Sequence, residues 1–98
     1  MLVGLGGVYA EILDDTAVAL APVGEDEAER MVRSLRGAPL LEGARGRKPL
    51  DVAAAARAVA AVSRAAAGCP ALAELEVNPL LVLPNCAIGL DARVLLAS

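Results

Sequence analysis

The stretch from Glu74 to Arg93, ELEVNPLLVLPNCAIGLDAR, decides how this chain folds. It reads as a strand bent at Pro79, a turn at Pro84 and Asn85, and a returning strand, because proline lacks the N–H that a ladder needs and Pro-Asn favours a turn. A turn centred between Pro84 and Asn85 sets a register in which paired residue numbers sum to 169. Asn78 then faces Asp91, and Glu76 faces Arg93, with the Cβ atoms of each pair about 5 Å apart. Side chains alternate along a strand, so Glu74, Glu76 and Asn78 share one face with Gly89, Asp91 and Arg93. A hard cation such as Mg²⁺ takes oxygen ligands, one or two of them from protein and the rest from water and phosphate. Asn78 and Asp91 have the chemistry for that role. The same polar row also suits a plain solvated face, and Glu76 with Arg93 makes an ordinary cross-strand ion pair, so spacing alone leaves both readings open.

Upstream of this hairpin, the run from Asp51 to about Ala67 predicts a helix capped by Asp51. Val52, Ala55, Ala56, Val59, Val62 and Ala66 lie on its inner face, Arg57 and Arg64 lie outside, and Gly68 with Pro70 ends it. The segment GEDEAERMVRSLRG predicts another helix: Glu25, Asp26, Glu27 and Glu29 crowd its start and Arg30, Arg33 and Arg36 its end, which complements the helix dipole. Ala28, Met31, Val32 and Leu35 form its inner stripe, and Gly37 is the expected stop. Gly37 to Pro49 reads as a loop carrying Arg45 and Arg47. Nearer the start, Val8–Leu13 alternates and reads as a strand, paired through a turn at Asp14 and Asp15 with a second strand over Thr16–Ala21. The expected order is β-β-α-α-β-β, an α+β fold of mainly antiparallel sheet packed with two helices.

Composition narrows what such a fold can do. The 98 residues hold one modest core, 57% of them are hydrophobic, and Tyr9 is the one aromatic side chain. An alanine-rich core buries little area per residue, which predicts thin stability unless the chain docks onto more protein. Nine basic and twelve acidic residues give a net charge of −3 without a basic block, which argues against nucleic-acid and anionic-membrane partners. The absence of histidine removes His-based acid-base chemistry and His metal sites from this chain. Cys69 and Cys86 match no CxxC pattern and are expected to be reduced thiols. No signal peptide precedes the glycines, and the alanine-rich helix is broken by arginines and too short to span a bilayer, so a cytoplasmic location is expected.

The run from Glu74 to Arg93 resembles the E-x-N-P-L … L-D-A-[KR] signature of the succinyl-CoA synthetase β-subunit family and the related ADP-forming acyl-CoA synthetases. The opening GLGGVYAEILDD is similar to that family's G-G-[VI]-x-x-E stretch, and SLRGAPLLEGARGRKPLDV to its glycine- and arginine-containing loop and following helix. The resemblance covers nearly the whole chain in the right order. It implies that residues 1–98 are a single partial domain, the distal subdomain of an ATP-grasp fold. It further implies that the Asn78 amide and the Asp91 carboxylate bind Mg²⁺ on ATP or ADP, the pair that the hairpin register brings together. Arg93 then stands either toward phosphate or in the ion pair with Glu76. Glu11 faces either the nucleotide or solvent. Gly6 and Gly7 make a tight bend beside the nucleotide or a simple turn, and Arg45 and Arg47 contact phosphate, a partner subunit or water.

The expected function is therefore that of a fragment or subunit of an ADP-forming acid–CoA ligase, inactive by itself. Its expected partners are the missing ATP-grasp half and a CoA-binding module. The rival readings are a non-catalytic interaction module, able to form homo-oligomers through a sheet edge, and the ATP-grasp part of a protein acetyltransferase fusion.

Overall fold

The structure is a computed structural model and describes residues 1–4, 16–43, 46 and 48–97. Its elements are strands β1 (Leu2–Gly4) and β2 (Thr16–Val18), helices α1 (Glu25–Arg33), α2 (Ala38–Leu41) and α3 (Val52–Ala67), and strands β3 (Leu72–Val77), β4 (Leu80–Leu83), β5 (Cys86–Gly89) and β6 (Ala92–Leu96). The α+β class and the antiparallel pairing are as expected, in three two-stranded sheets, β1-β2, β3-β6 and β4-β5. Among the described residues no helix is long and apolar enough to cross a membrane.

The core lies between α1 and α3. Ala28, Met31 and Val32 of α1 meet Val52, Ala56, Val59 and Ala60 of α3, and Val23 closes one end. The i, i+3, i+4 spacing of Ala28, Met31 and Val32 puts all three on one face, and alanines on the facing helix let the backbones come close. Met1, Val3, Ala17 and Ala19 of the β1–β2 segment pack against this cluster from outside. A buried hydrogen bond joins the parts: the Val23 N–H donates to Ser63 Oγ at 2.8 Å.

Helix α3 begins where the sequence predicts, with the Asp51 carboxylate accepting from the Ala54 N–H at 2.9 Å. Its inner face is wider than expected. Ala54, Ala60 and Ser63 are buried, whereas Val62 and Ala66 are only half-buried. Helix α1 ends at Ser34, whose hydroxyl donates to the Met31 carbonyl at 2.7 Å. Gly37 is not its left-handed stop. With φ of −81° it instead caps α2, a short helix inside the segment expected to be all loop, and Pro39 sits in that helix's first turn, where a missing N–H costs nothing.

The first hairpin also differs from expectation. β2 stops at Val18, and its partner is Leu2–Gly4, in the register Leu2↔Val18 and Gly4↔Thr16. The expected strand over Val8–Leu13 lies outside the described residues. The second hairpin keeps the expected register: Glu76 pairs with Arg93 and Leu83 with Cys86, each with numbers summing to 169. Both arms divide, giving four strands where two were expected. Pro79 interrupts one arm, and Leu90 with Asp91 interrupts the other. Two bonds carry the ladder across the break, Asn78 N–H to Asp91 O at 2.9 Å and Leu90 N–H to Pro79 O at 3.0 Å.

This second hairpin projects from the core. Helix α3 touches β3, β4 and β5, and the Asp51 N–H donates to the Leu83 carbonyl at 2.8 Å. Beyond Ser63, however, no described residue is buried. The result is an elongated body of 48 × 27 × 22 Å.

Candidate functional site

The polar face of the β3–β6 ladder carries the residues singled out from the sequence. Glu74, Glu76 and Arg93 border one shallow hollow with Val94 and Leu95. Asn78 and Asp91 lie one step along, on the two sides of the break, opposed through the Asn78 N–H to Asp91 carbonyl bond. All of Glu74, Glu76, Asn78, Asp91 and Arg93 are exposed.

Their side-chain bonds fix which atoms are committed. The Asn78 Nδ2 amide donates to Glu76 Oε1 at 3.1 Å, and Asp91 Oδ1 accepts from the Ala92 N–H at 2.9 Å. Glu76 therefore holds the Asn78 amide by its nitrogen, leaving Oδ1, an acceptor, without a partner among the described residues, and Asp91 keeps Oδ2 likewise. These are hard oxygen donors, one neutral and one anionic, and they fit a cation such as Mg²⁺. Among the described residues no group of three or more His, Cys, Asp or Glu side chains could hold a metal. An ion here needs further oxygens from outside the protein, as Mg²⁺ bound to nucleotide phosphates has.

The cross-strand ion pair between Glu76 and Arg93 does not form. The two residues are directly opposed, but no ion pair joins them, whereas Arg33 pairs with Glu29 and with Glu42. Glu76 turns to Asn78 instead, and among the described residues the Arg93 guanidinium has no ion-pair partner, although it borders the same hollow as Glu74 and Glu76. The reading of this face as a self-satisfied surface row loses its main contact. Sequence reasoning missed the Glu76–Asn78 bond, although the i, i+2 spacing on one strand face was a signal for it.

Gly89 was noted only as a member of this face. A Cβ there would stand 3.1 Å from Val77 Cγ1, so its lack of a side chain lets the ladders approach at the bend between β3 and β4. Gly6, Gly7, Glu11 and Arg45, and Arg47 with them, lie outside the described residues. Cys69 and Cys86 are both free thiols.

A model of the ATP-grasp domain matches residues 1–96. The beta subunit of ADP-forming acetate–CoA ligase I from Pyrococcus furiosus is 36% identical over 96 residues, a match spanning 98% of this chain and 41% of that subunit. The ADP-forming 4-hydroxybutyrate–CoA ligase of Nitrosopumilus maritimus is 36% identical over 97 residues, covering 96% of this chain and 14% of that enzyme. Among solved structures, dinucleotide-forming acetyl-coenzyme A synthetase 1 of Ca. Korarchaeum cryptofilum, in complex with coenzyme A and Mg-AMPPCP, superimposes with a TM-score of 0.90 at 33% identity, over 98% of this chain and 45% of that one. The chain thus spans less than half the length of each of these relatives.

Proposed function

We propose, from the premise that this chain belongs to the ATP-grasp domain family, that it is the distal part of the nucleotide-binding unit of an ADP-forming acyl-CoA synthetase. The parent reaction is the reversible conversion of ATP, a carboxylic acid and coenzyme A into acyl-CoA, ADP and phosphate. Support comes from the relatives, which are ADP-forming CoA ligases, and from a neighbour that binds Mg-AMPPCP on the same fold.

The observation that carries this reading is the pairing of Asn78 with Asp91 beside an Arg93 that has no ion-pair partner among the described residues. Asn78 Oδ1 and Asp91 Oδ2 would hold Mg²⁺, which when bound would supply charge neutralisation to the nucleotide phosphates. Glu76 orients the first of these ligands by holding the amide nitrogen, so that the oxygen is the atom presented. Arg93 offers donors to phosphate oxygens at the same edge. Gly6 and Gly7, with Glu11 and Arg45, complete the nucleotide side in this reading. The contribution is electrostatic: fixed charges and dipoles set in place before the reaction begins. The remaining ATP-grasp half and a CoA-binding module supply the rest, which makes the chain by itself inactive.

The test is Asp91→Asn in an enzyme assembled with those parts. ADP formation should fall on the order of 10²-fold, with a higher Mg²⁺ requirement and an unchanged circular dichroism spectrum. An unaltered Mg²⁺ titration would sink the assignment of Asp91. One observation favours a second reading, an interaction module without catalysis: β6 is exposed at every position. Binding of Mg-AMPPCP by the assembled protein separates the two, since an interaction module binds none.

A further inference from the structure

The strand β6 is largely apolar, exposed and, among the described residues, paired on one side only. Val94, Leu95 and Leu96 of β6, and Leu90 just before it, have between 55% and 67% of their surface open to solvent, and among the described residues β3 is the one ladder partner of β6. The direction of its main-chain groups follows from the bonds already described. The Asp91 carbonyl accepts from Asn78, so the main-chain groups of Asp91 point toward β3, and by alternation those of Arg93 and Leu95 do too. The Ala97 N–H, bonded to the Ala71 carbonyl at 2.8 Å, continues the same parity past the bulge near Leu72. The N–H and C=O groups of Ala92, Val94 and Leu96 therefore face away from β3; Asp91 Oδ1 holds the Ala92 N–H, while the Ala92 carbonyl and the N–H and C=O groups of Val94 and Leu96 have no partner among the described residues. An open edge of this kind, lined by apolar side chains, is a template for another strand.

We infer that the outer edge of β6 receives an extended segment from the remainder of the ATP-grasp subunit, bonded through the main chain to the Ala92 carbonyl and to Val94 and Leu96. The identity of the partner rests on the proposed function; the edge itself does not. Three observations favour this occupant. The same fold recurs at a TM-score of 0.90 inside a chain of which it makes up 43%, so that relative carries ample further protein to cover the strand. The whole run from Arg64 to Ala97 lacks a buried described residue, which marks it as a surface short of a covering layer. A second copy is a poor fit, because two five-residue strands bury far less than the ~800 Å² per partner of a stable interface. The incoming strand places apolar side chains over Ala92, Val94 and Leu96 and runs alongside Asp91 and Arg93. Docking at this edge thus also builds a wall next to the nucleotide face.

The experiment mixes this chain with the part of the Pyrococcus furiosus beta subunit that its match does not cover, and follows amide exchange by NMR. Complex formation should slow the Val94 and Leu96 amides at least tenfold, while Arg93 and Leu95, already bonded to β3, change much less. Val94→Pro removes one outward N–H at an edge position where proline is tolerated, and should weaken the complex at least tenfold with the circular dichroism spectrum retained. Val94→Lys serves the same purpose if the proline variant does not fold. The inference is overturned if no complex forms, if a complex leaves those two amides unprotected, or if they are protected in the chain alone in a concentration-dependent way, which would make the occupant a second copy. Mg-AMPPCP binding by the complex is read separately. Binding without edge protection defeats only the docking inference, and edge protection without binding defeats only the nucleotide reading.

Discussion

Ser63 is a hydroxyl buried in an alanine-rich helix, and its exposure of 1% makes its bond to the Val23 N–H consequential. Ser63→Ala strands that N–H in an apolar setting. Unfolding in urea should show a loss of about 1–3 kcal/mol, and a loss well below that would mean that water reaches the site. Arg33 is the opposite case. Hydrogen bonds that it donates to Glu29 first, then Glu42, hold its guanidinium above the usual arginine range, yet the group is exposed. Arg33→Ala should leave the urea midpoint nearly unmoved, since exposed ion pairs contribute little. The sequence reveals Asn78 opposite Asp91 because a local turn sets that pairing. It conceals Ser63 because the partner lies 40 residues away, and nothing near Ser63 announces it. It left open whether Glu76 pairs with Arg93, since their opposition is legible but competition from Asn78 on the same strand is not.

At the scale of elements, the contact of α1 with α3 is built on small side chains. Ala28 is fully buried and Ala60 nearly so. Ala60→Leu has nowhere to put three extra carbons except by forcing the helices apart, and should cost about 1–3 kcal/mol in thermal or urea unfolding. Ala61→Leu, on the exposed side of the same turn, is the control and should be close to neutral. Helix starts were readable here because charge and capping act locally, as Asp51 does. Stops were less so. Gly37 and Gly68 both have negative φ and do not act through left-handed geometry, and α2 is too short for its periodicity to show. The β1–β2 pairing was missed because glycines mask strand character in LVG.

Viewed whole, the molecule has a packed end and an unpacked one. Every buried residue described lies at or before Ser63, and the long hairpin leans on α3 with half-covered side chains. Amides of β3 to β6 should therefore exchange through a partial opening, at least tenfold faster than those of α1 and α3, which wait for global unfolding. Equal exchange at both ends in low urea would contradict this. The α+β class followed from patterning alone, whereas the uneven distribution of the core depends on tertiary contacts that no single segment encodes. Asp51 joins the two ends. Its carboxylate starts the core helix, and its N–H clasps the last residue of β4. That makes it a pivot: if the hairpin swings about Asp51, Asn78 and Asp91 travel together as one jaw, changing their reach to whatever lies opposite while their mutual spacing is preserved.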